Sequence, residues 1–267
     1  MLLAETTQLI DLVALSLSVL VFSVAAVADF RSREVKDRLW VFYGLTGTIL
    51  TSVRFLLKPS QLTPLSITLT CIIALSLLFL GFIGGADSKA FICLAATLPL
   101  NPSTLRPLIG YVLPFFPITV LISSFVLSAV TSIWIAMRNA RSYIREGGKM
   151  FQGFDQESWY KKLMATLIGF RVDQEKLREN NFLYPIEIAD SLGSSGRRFK
   201  LSFNACSDRE QEVTQLLSSL KADPYAMVWA TPALPMLLFA LIGLLLTITV
   251  GDFVMGAIFV VITHAPR

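Results

Sequence analysis

Between Arg106 and Arg138 the chain has no charged side chain, and the same holds from Leu12 to Ala28, Leu39 to Val53, Leu62 to Ile83 and Thr231 to Val250. Runs this long and apolar suit one environment. A helix needs about 20 mostly apolar residues to cross the ~30 Å hydrocarbon layer, and inside that layer a helix satisfies its own backbone hydrogen bonds. Composition agrees: charged residues are 16% of the chain and mean hydropathy is +0.64, whereas in soluble domains charges make up about a quarter. The fold class expected is an α-helical polytopic membrane protein. Six spans are predicted: Leu12 to Ala28, Leu39 to Val53, Leu62 to Ile83, Ser88 to Leu105, Leu108 to Met137 and Thr231 to Val250. The fourth is the weakest, because it holds Lys89, Pro99 and Pro102. The second reaches Leu57 if Arg54 snorkels to the surface.

Ala26-Val27-Ala28 has the small-x-small form of a signal-peptide cleavage site, but Glu5 and Asp11 precede it where such a peptide is basic. The first run is therefore expected to be retained. Cys71, Cys93 and Cys206 are far apart and lack C-x-x-C spacing, so they read as small buried hydrophobes, with neither a disulfide framework nor a metal site.

The net charge is +4, yet the basic residues flank spans instead of forming a nucleic-acid patch. Arg31, Arg33, Lys36 and Arg38 follow span 1, and Arg138, Arg141, Arg145 and Lys149 follow span 5. The excess of Lys and Arg on these loops predicts that both are cytoplasmic and that both termini are outside. The second cluster also suits contact with anionic lipid. The expected domains are 1–137 (membrane), 138–228 (cytoplasmic, α+β) and 229–267 (last span and tail). In the insert, Glu157 to Glu179 reads as one amphipathic helix with Trp159, Leu163, Leu167 and Phe170 on a shared face. "FLYPIEIAD" and "RRFKLSFNA" read as a hairpin turning at "SLGSSGRR", and Asp208 opens a further helix. Pro99, Pro102, Pro107, Pro114 and Pro117 predict a kinked or non-helical segment between spans 4 and 5.

Two acids stand at span ends: Asp29 in "SVAAVADFRSREV", closing span 1, and Asp87 in "GGADSK", closing span 3. Two crossings separate those ends, so both acids are expected on one side. An acid at the edge of hydrocarbon costs about 3 kcal/mol or more, which makes it a functional candidate. A carboxylate pair suits acid–base hydrolysis, one member taking a proton from water while the other, protonated, donates to the scissile carbonyl. Glu34 and Asp37 in the same loop show that acids beside a membrane are also ordinary. Gly84 and Gly85, which permit φ > 0 and close backbone approach, add weight to Asp87. Lys89 either biases Asp87 or snorkels. "REGGKMFQG" lacks phosphate-loop spacing. His264, the single histidine, is expected outside, leaving no histidine base for triad chemistry beside these acids.

"GGADSK", together with "ADFRSREVKDRLW" after the first span, resembles the archaeal preflagellin and type IV prepilin peptidase family, membrane aspartyl proteases with a GxGD motif. The match runs from about Leu12 to Leu100. "WATPALPM" and the insert before it look like the archaeal flagellin-processing branch. The resemblance implies catalytic aspartates at Asp29 and Asp87, with Gly84, Gly85 and Ala86 as motif backbone against which the substrate lies and Lys89 as a lesser substrate contact. Ala86 departs from the family's usual glycine. The implied activity removes short charged leaders from preflagellin or pilin-like precursors at the cytoplasmic face, with no cofactor, metal or nucleic acid. The implied partners are those precursors and membrane lipid. The alternative is a proton- or cation-coupled transporter using the same aspartates, against which both acids lie at one surface.

Overall fold

A computed structural model describes residues 2–146, 150–189, 197–200, 209–219, 227–232 and 234–264. The chain forms two compact units, Met1–Ser128 with Pro235–Arg267, and Ala129–Leu234.

The first unit holds α1 (Leu2–Ser32), α2 (Asp37–Leu57), α3 (Leu62–Phe79), α4 (Gly85–Thr97), the start of α5 (Phe116–Glu146), α9 (Met236–Thr249) and α10 (Phe253–His264). Among the described residues, four helices are long and apolar enough to cross a membrane: Glu5–Ser32, Asp37–Leu57, Leu62–Phe79 and Phe116–Arg145. The protein is thus a helical polytopic membrane protein with a small α+β region. The predicted fourth and sixth spans are shorter helices, 13 and 14 residues in length, about 20 Å at 1.5 Å per residue.

Helix α4 stops ahead of Pro99, which bars the preceding residue from helical geometry. It packs against α2, α3, α1 and α9, and Ala90, Phe91, Leu94, Ala95 and Leu98 are fully buried. Its apolar face meets protein, so its hydropathy is an imperfect guide to its depth. Tyr43 donates to Ser18 Oγ at 2.7 Å and stands edge-on to Phe22, joining α2 to α1.

Several boundaries differ from the expectation. The third helix ends at Phe79, not Ile83, and α5 starts at Phe116, not Leu108. Between α4 and α5 the proline-rich chain is non-helical, and its backbone groups find partners elsewhere: Leu108 and Ile109 donate to Thr249 and Val250 carbonyls, and Leu113 donates to Asp252. The last run begins its helix at Met236, since Thr231 belongs to a strand, and a turn at Gly251 (φ 97°) leads into α10, which the sequence reading lacked. Helix α2 reaches Leu57, and Arg54 in its last turn is paired. The Arg54 Nε lies 3.1 Å from Oδ1 of the buried Asp11, whose Oδ2 accepts the Ser103 N–H and hydroxyl, each at 3.0 Å. A charge in apolar surroundings is tolerable when paired in this way. Cys71 and Cys93 are free and only half-buried, and Cys206 lies outside the described residues.

The second unit contains the end of α5, α6 (Trp159–Ile168), β1 (Phe170–Val172), α7 (Gln174–Glu179), β2 (Leu183–Pro185), β3 (Glu187–Ala189), β4 (Arg197–Phe199), α8 (Arg209–Ser219) and β5 (Val228–Pro232). One helix expected over Glu157 to Glu179 is two, separated by β1. Gly169 ends α6, and a Cβ there would lie 2.6 Å from Ile186 and 2.9 Å from the Ala230 carbonyl. Strands order β1-β5-β2, antiparallel throughout, with Phe170 opposite Ala230 and Leu183 opposite Pro232. The hairpin pairs β3 with β4, Glu187 opposite Phe199. Most of its turn, like Asp208, lies outside the described residues. Stacked rings fill the core, Phe154 on Phe199 at 4.2 Å and Phe151 on Trp229 at 5.5 Å. The buried Glu187 pairs with Arg197.

Candidate active site

Asp29 occupies the last turn of α1. The helix stops because Arg33 adopts a left-handed backbone (φ 57°) and returns its N–H to the Asp29 carbonyl at 3.1 Å, the αL form of C-cap. A non-glycine residue there costs about 1–2 kcal/mol. The same turn carries the Arg33 guanidinium to within 3.8 Å of Asp29 Oδ1. The other oxygen, Oδ2, accepts the backbone N–H of Leu237 at 3.3 Å. Leu237 lies in the first turn of α9, whose N-cap residue Pro235 offers no side-chain acceptor. Asp29 therefore satisfies one of the free N–H groups every helix start leaves open and meets the positive end of the α9 dipole.

Asp87 arises differently from the expectation that it closes span 3. The third helix ends in a Schellman motif: Phe82 donates to the Leu77 carbonyl, and Gly81 (φ 76°) donates to the Leu78 carbonyl. Gly84 is then the N-cap of α4, with Asp87 three residues on, its Oδ2 accepting the Gly84 N–H at 2.9 Å. The acid thus opens a helix, where its charge suits the dipole. The left-handed glycine of this loop is Gly81; Gly84 has φ −79° and ψ 167°, open to most residues. What Gly84 lacks room for is a Cβ, which would stand 3.2 Å from Asp87 Oδ2. Gly85 has nothing within 4 Å of that position. Ala86 packs partly against the core. Lys89 turns away to Asp37 at the start of α2, Nζ to Oδ1 at 2.6 Å.

The two aspartates lie on packed helices, α1 and α4, close enough to act on each other. Burial pushes the Asp87 carboxyl up to about 6; the Gly84 N–H opposes this, the neighbouring Asp29 adds to it and the Arg33 guanidinium opposes it. Such a pair has the makings of acid–base chemistry near neutral pH.

Residues 16–133 match the model of the type IV leader peptidase family, and residues 161–253 match that of the archaeal peptidase A24 C-terminus, type II. The chain belongs to the type IV leader peptidase family. Its relatives include preflagellin peptidases of Methanococcus maripaludis (26% identical, over 86% of this chain and 91% of the relative) and Methanococcus voltae (24%, over 92% and 99%). That of Methanocaldococcus jannaschii is 22% identical over 87% of this chain and 92% of the relative.

For this leader peptidase family member, sequence reasoning missed two contributors at Asp29. Arg33 looked like one more basic residue of a cytoplasmic loop, although an arginine four residues after an aspartate shares its helix face. The Leu237 N–H is a backbone group brought from the far end of the chain, and only Pro235 ahead of an apolar run hinted at a helix start.

Proposed function

We propose that this peptidase removes the short charged leader of preflagellin or pilin-like precursors by aspartyl chemistry. What supports this reading is that Asp29 and Asp87 stand on helices α1 and α4, which pack against each other, where the charge of Asp29 bears on Asp87. Asp29, with a guanidinium and a helix N–H on its oxygens, is assigned the carboxylate that takes a proton from water. Asp87 is assigned the acid that donates to the scissile carbonyl. The water oxygen adds to that carbonyl carbon; as the tetrahedral gem-diol collapses the C–N bond breaks, the proton taken by Asp29 leaves with the amine, and a hydroxyl proton of the gem-diol returns to Asp87. No covalent enzyme intermediate is required. Gly84, Gly85 and Ala86 supply the backbone beside which the precursor strand lies; the open space over Gly85 suits close approach. Lys89, exposed and paired with Asp37, is a lesser candidate for contact with the precursor.

The basic residues following α1 and along the end of α5 support a cytoplasmic position for the site and for residues 138–228. Preflagellin is the substrate named for the relatives, and a leader ahead of an apolar helix presents its bond at that membrane edge. The test is co-expression of a leader-bearing precursor with wild type, Asp29→Asn and Asp87→Asn, read by the product's new N-terminus. Each variant is expected to insert yet leave the leader on. Full cleavage by either overturns the dyad.

A further inference from the structure

Helix α6 is amphipathic the wrong way round for a helix in water. With about 3.6 residues per turn, Trp159, Tyr160, Leu163, Met164 and Leu167 fall on one face, and that face points outward. Trp159 is 76% exposed, Tyr160 52%, Leu163 45% and Met164 42%. The polar and small residues point inward: Lys161 pairs with Glu157 at 3.0 Å, Lys162 stands over the Phe151 ring, and Ala165 is buried in the aromatic core.

The attachment of α6 fixes its height. Asn139 of α5 is buried and donates from Nδ2 to the carbonyls of Thr166 (2.8 Å) and Gly169 (2.6 Å). These are carbonyls at the end of α6, where such groups need outside donors. Beside it Arg138 covers the Phe170 ring at 4.2 Å. Asn139 lies two residues past Met137, the last residue of the uncharged run of α5, or about 3 Å along the axis. The end of α6 is therefore held beside the end of the uncharged run of α5.

We propose that α6 lies in the headgroup layer of the bilayer that α5 crosses, its Trp159–Leu163 face toward the lipid. Tryptophan and tyrosine favour that layer, and a helix with one large apolar face and basic neighbours binds in the interface plane. Arg138, Arg141 and Arg145 on α5 supply positive charge at the same level for anionic headgroups. The apolar face is thereby covered without a protein partner. The inference rests on α5 and the second unit and is independent of the peptidase mechanism.

The test uses the full chain reconstituted in vesicles of phosphatidylcholine with a minority of phosphatidylglycerol. A benzophenone side chain at position 163 is expected to yield a phospholipid adduct on irradiation, and one at position 175, on the exposed side of α7, is expected to yield none. As a second measurement, acyl-brominated phosphatidylcholine should quench the part of the tryptophan emission that Trp159→Phe removes. A cross-linked dimer at 163 would assign the face to a second copy. Absence of a lipid adduct at 163, or Trp159 emission untouched by bromine, would leave the face in water. Each of these results overturns the proposal.

Discussion

The carboxylate of Asp29 and the backbone N–H of Leu237, 208 residues apart in sequence, meet at 3.3 Å. One side chain thus closes a helix start and belongs to the proposed catalytic pair. The two roles separate by substitution. In Asp29→Asn the amide oxygen still accepts the Leu237 N–H, so thermal stability in detergent should stay near wild type while cleavage falls by about 10²–10⁴, the usual worth of acid–base catalysis. In Asp29→Ala the cap is lost too, and stability should drop by about 1 kcal/mol as well.

Gly84 and Gly85 should respond differently to alanine. A Cβ on Gly84 presses on Asp87 Oδ2 at 3.2 Å and must displace the carboxyl, so cleavage falls with Gly84→Ala. Gly85→Ala meets no protein atom and should leave stability unchanged or raise it by up to about 1 kcal/mol. If Gly85→Ala nevertheless raises KM for the precursor, the added methyl is felt by the substrate. Parallel melting curves and steady-state cleavage distinguish the two.

The pH profile follows from Asp87. A carboxyl raised to about 6 stays protonated below that value and loses its proton above it, so as the acid of the pair it should impose a fall in kcat/KM as pH rises through about 6. That apparent value belongs to the pair as a whole. Arg33 opposes the rise at Asp87; hence Arg33→Gln should move the descending limb to higher pH. Arg33→Gly should move it likewise while relieving the left-handed backbone at φ 57°, making it more stable than Arg33→Gln by about 1 kcal/mol. An unchanged limb in both variants would remove Arg33 from the site.

Asp11 and Arg54 predict a different signature. Removing Arg54 leaves the buried Asp11 carboxylate without its mate, at a cost of about 3–5 kcal/mol, and removing Asp11 should cost less because Arg54 keeps partial access to solvent. Asp11→Ala should also free Ser103, whose N–H and hydroxyl the carboxylate accepts. The double variant Asp11→Leu/Arg54→Leu should be less destabilised than the sum of the singles, a coupling read by a double-mutant cycle on melting in detergent.

The long helices were legible because lipid demands a simple pattern: uncharged runs became α1, α2 and α3, the first two extended into charged flanks and the third stopping at Phe79, short of its run. Where protein replaces lipid as the neighbour, the pattern weakens. The fourth run looked doubtful because of Lys89, Pro99 and Pro102, although α4 is enclosed by other helices. Asp87 was legible as a residue and misread in position, since the Gly81 turn that ends α3 and the Gly84 cap that starts α4 sit within one short glycine-rich stretch. In the insert, Trp159, Leu163 and Leu167 do share a face of α6, whereas Phe170, read on the same face, belongs to β1, and periodicity does not say which way a face points. The helix break at Gly169 came from the approach of Ile186 and Ala230, a tertiary demand that leaves only a lone glycine in the sequence.

Enclosure of α4 by α1, α2, α3 and α9 settles which partner must travel. Close-packed interiors yield little, and Phe91, Leu94 and Leu98 anchor the helix whose head bears Asp87. On the proposed reading that carboxyl is the fixed reference point of the reaction. On that reading a precursor helix arriving sideways through the lipid brings its bond to the acid.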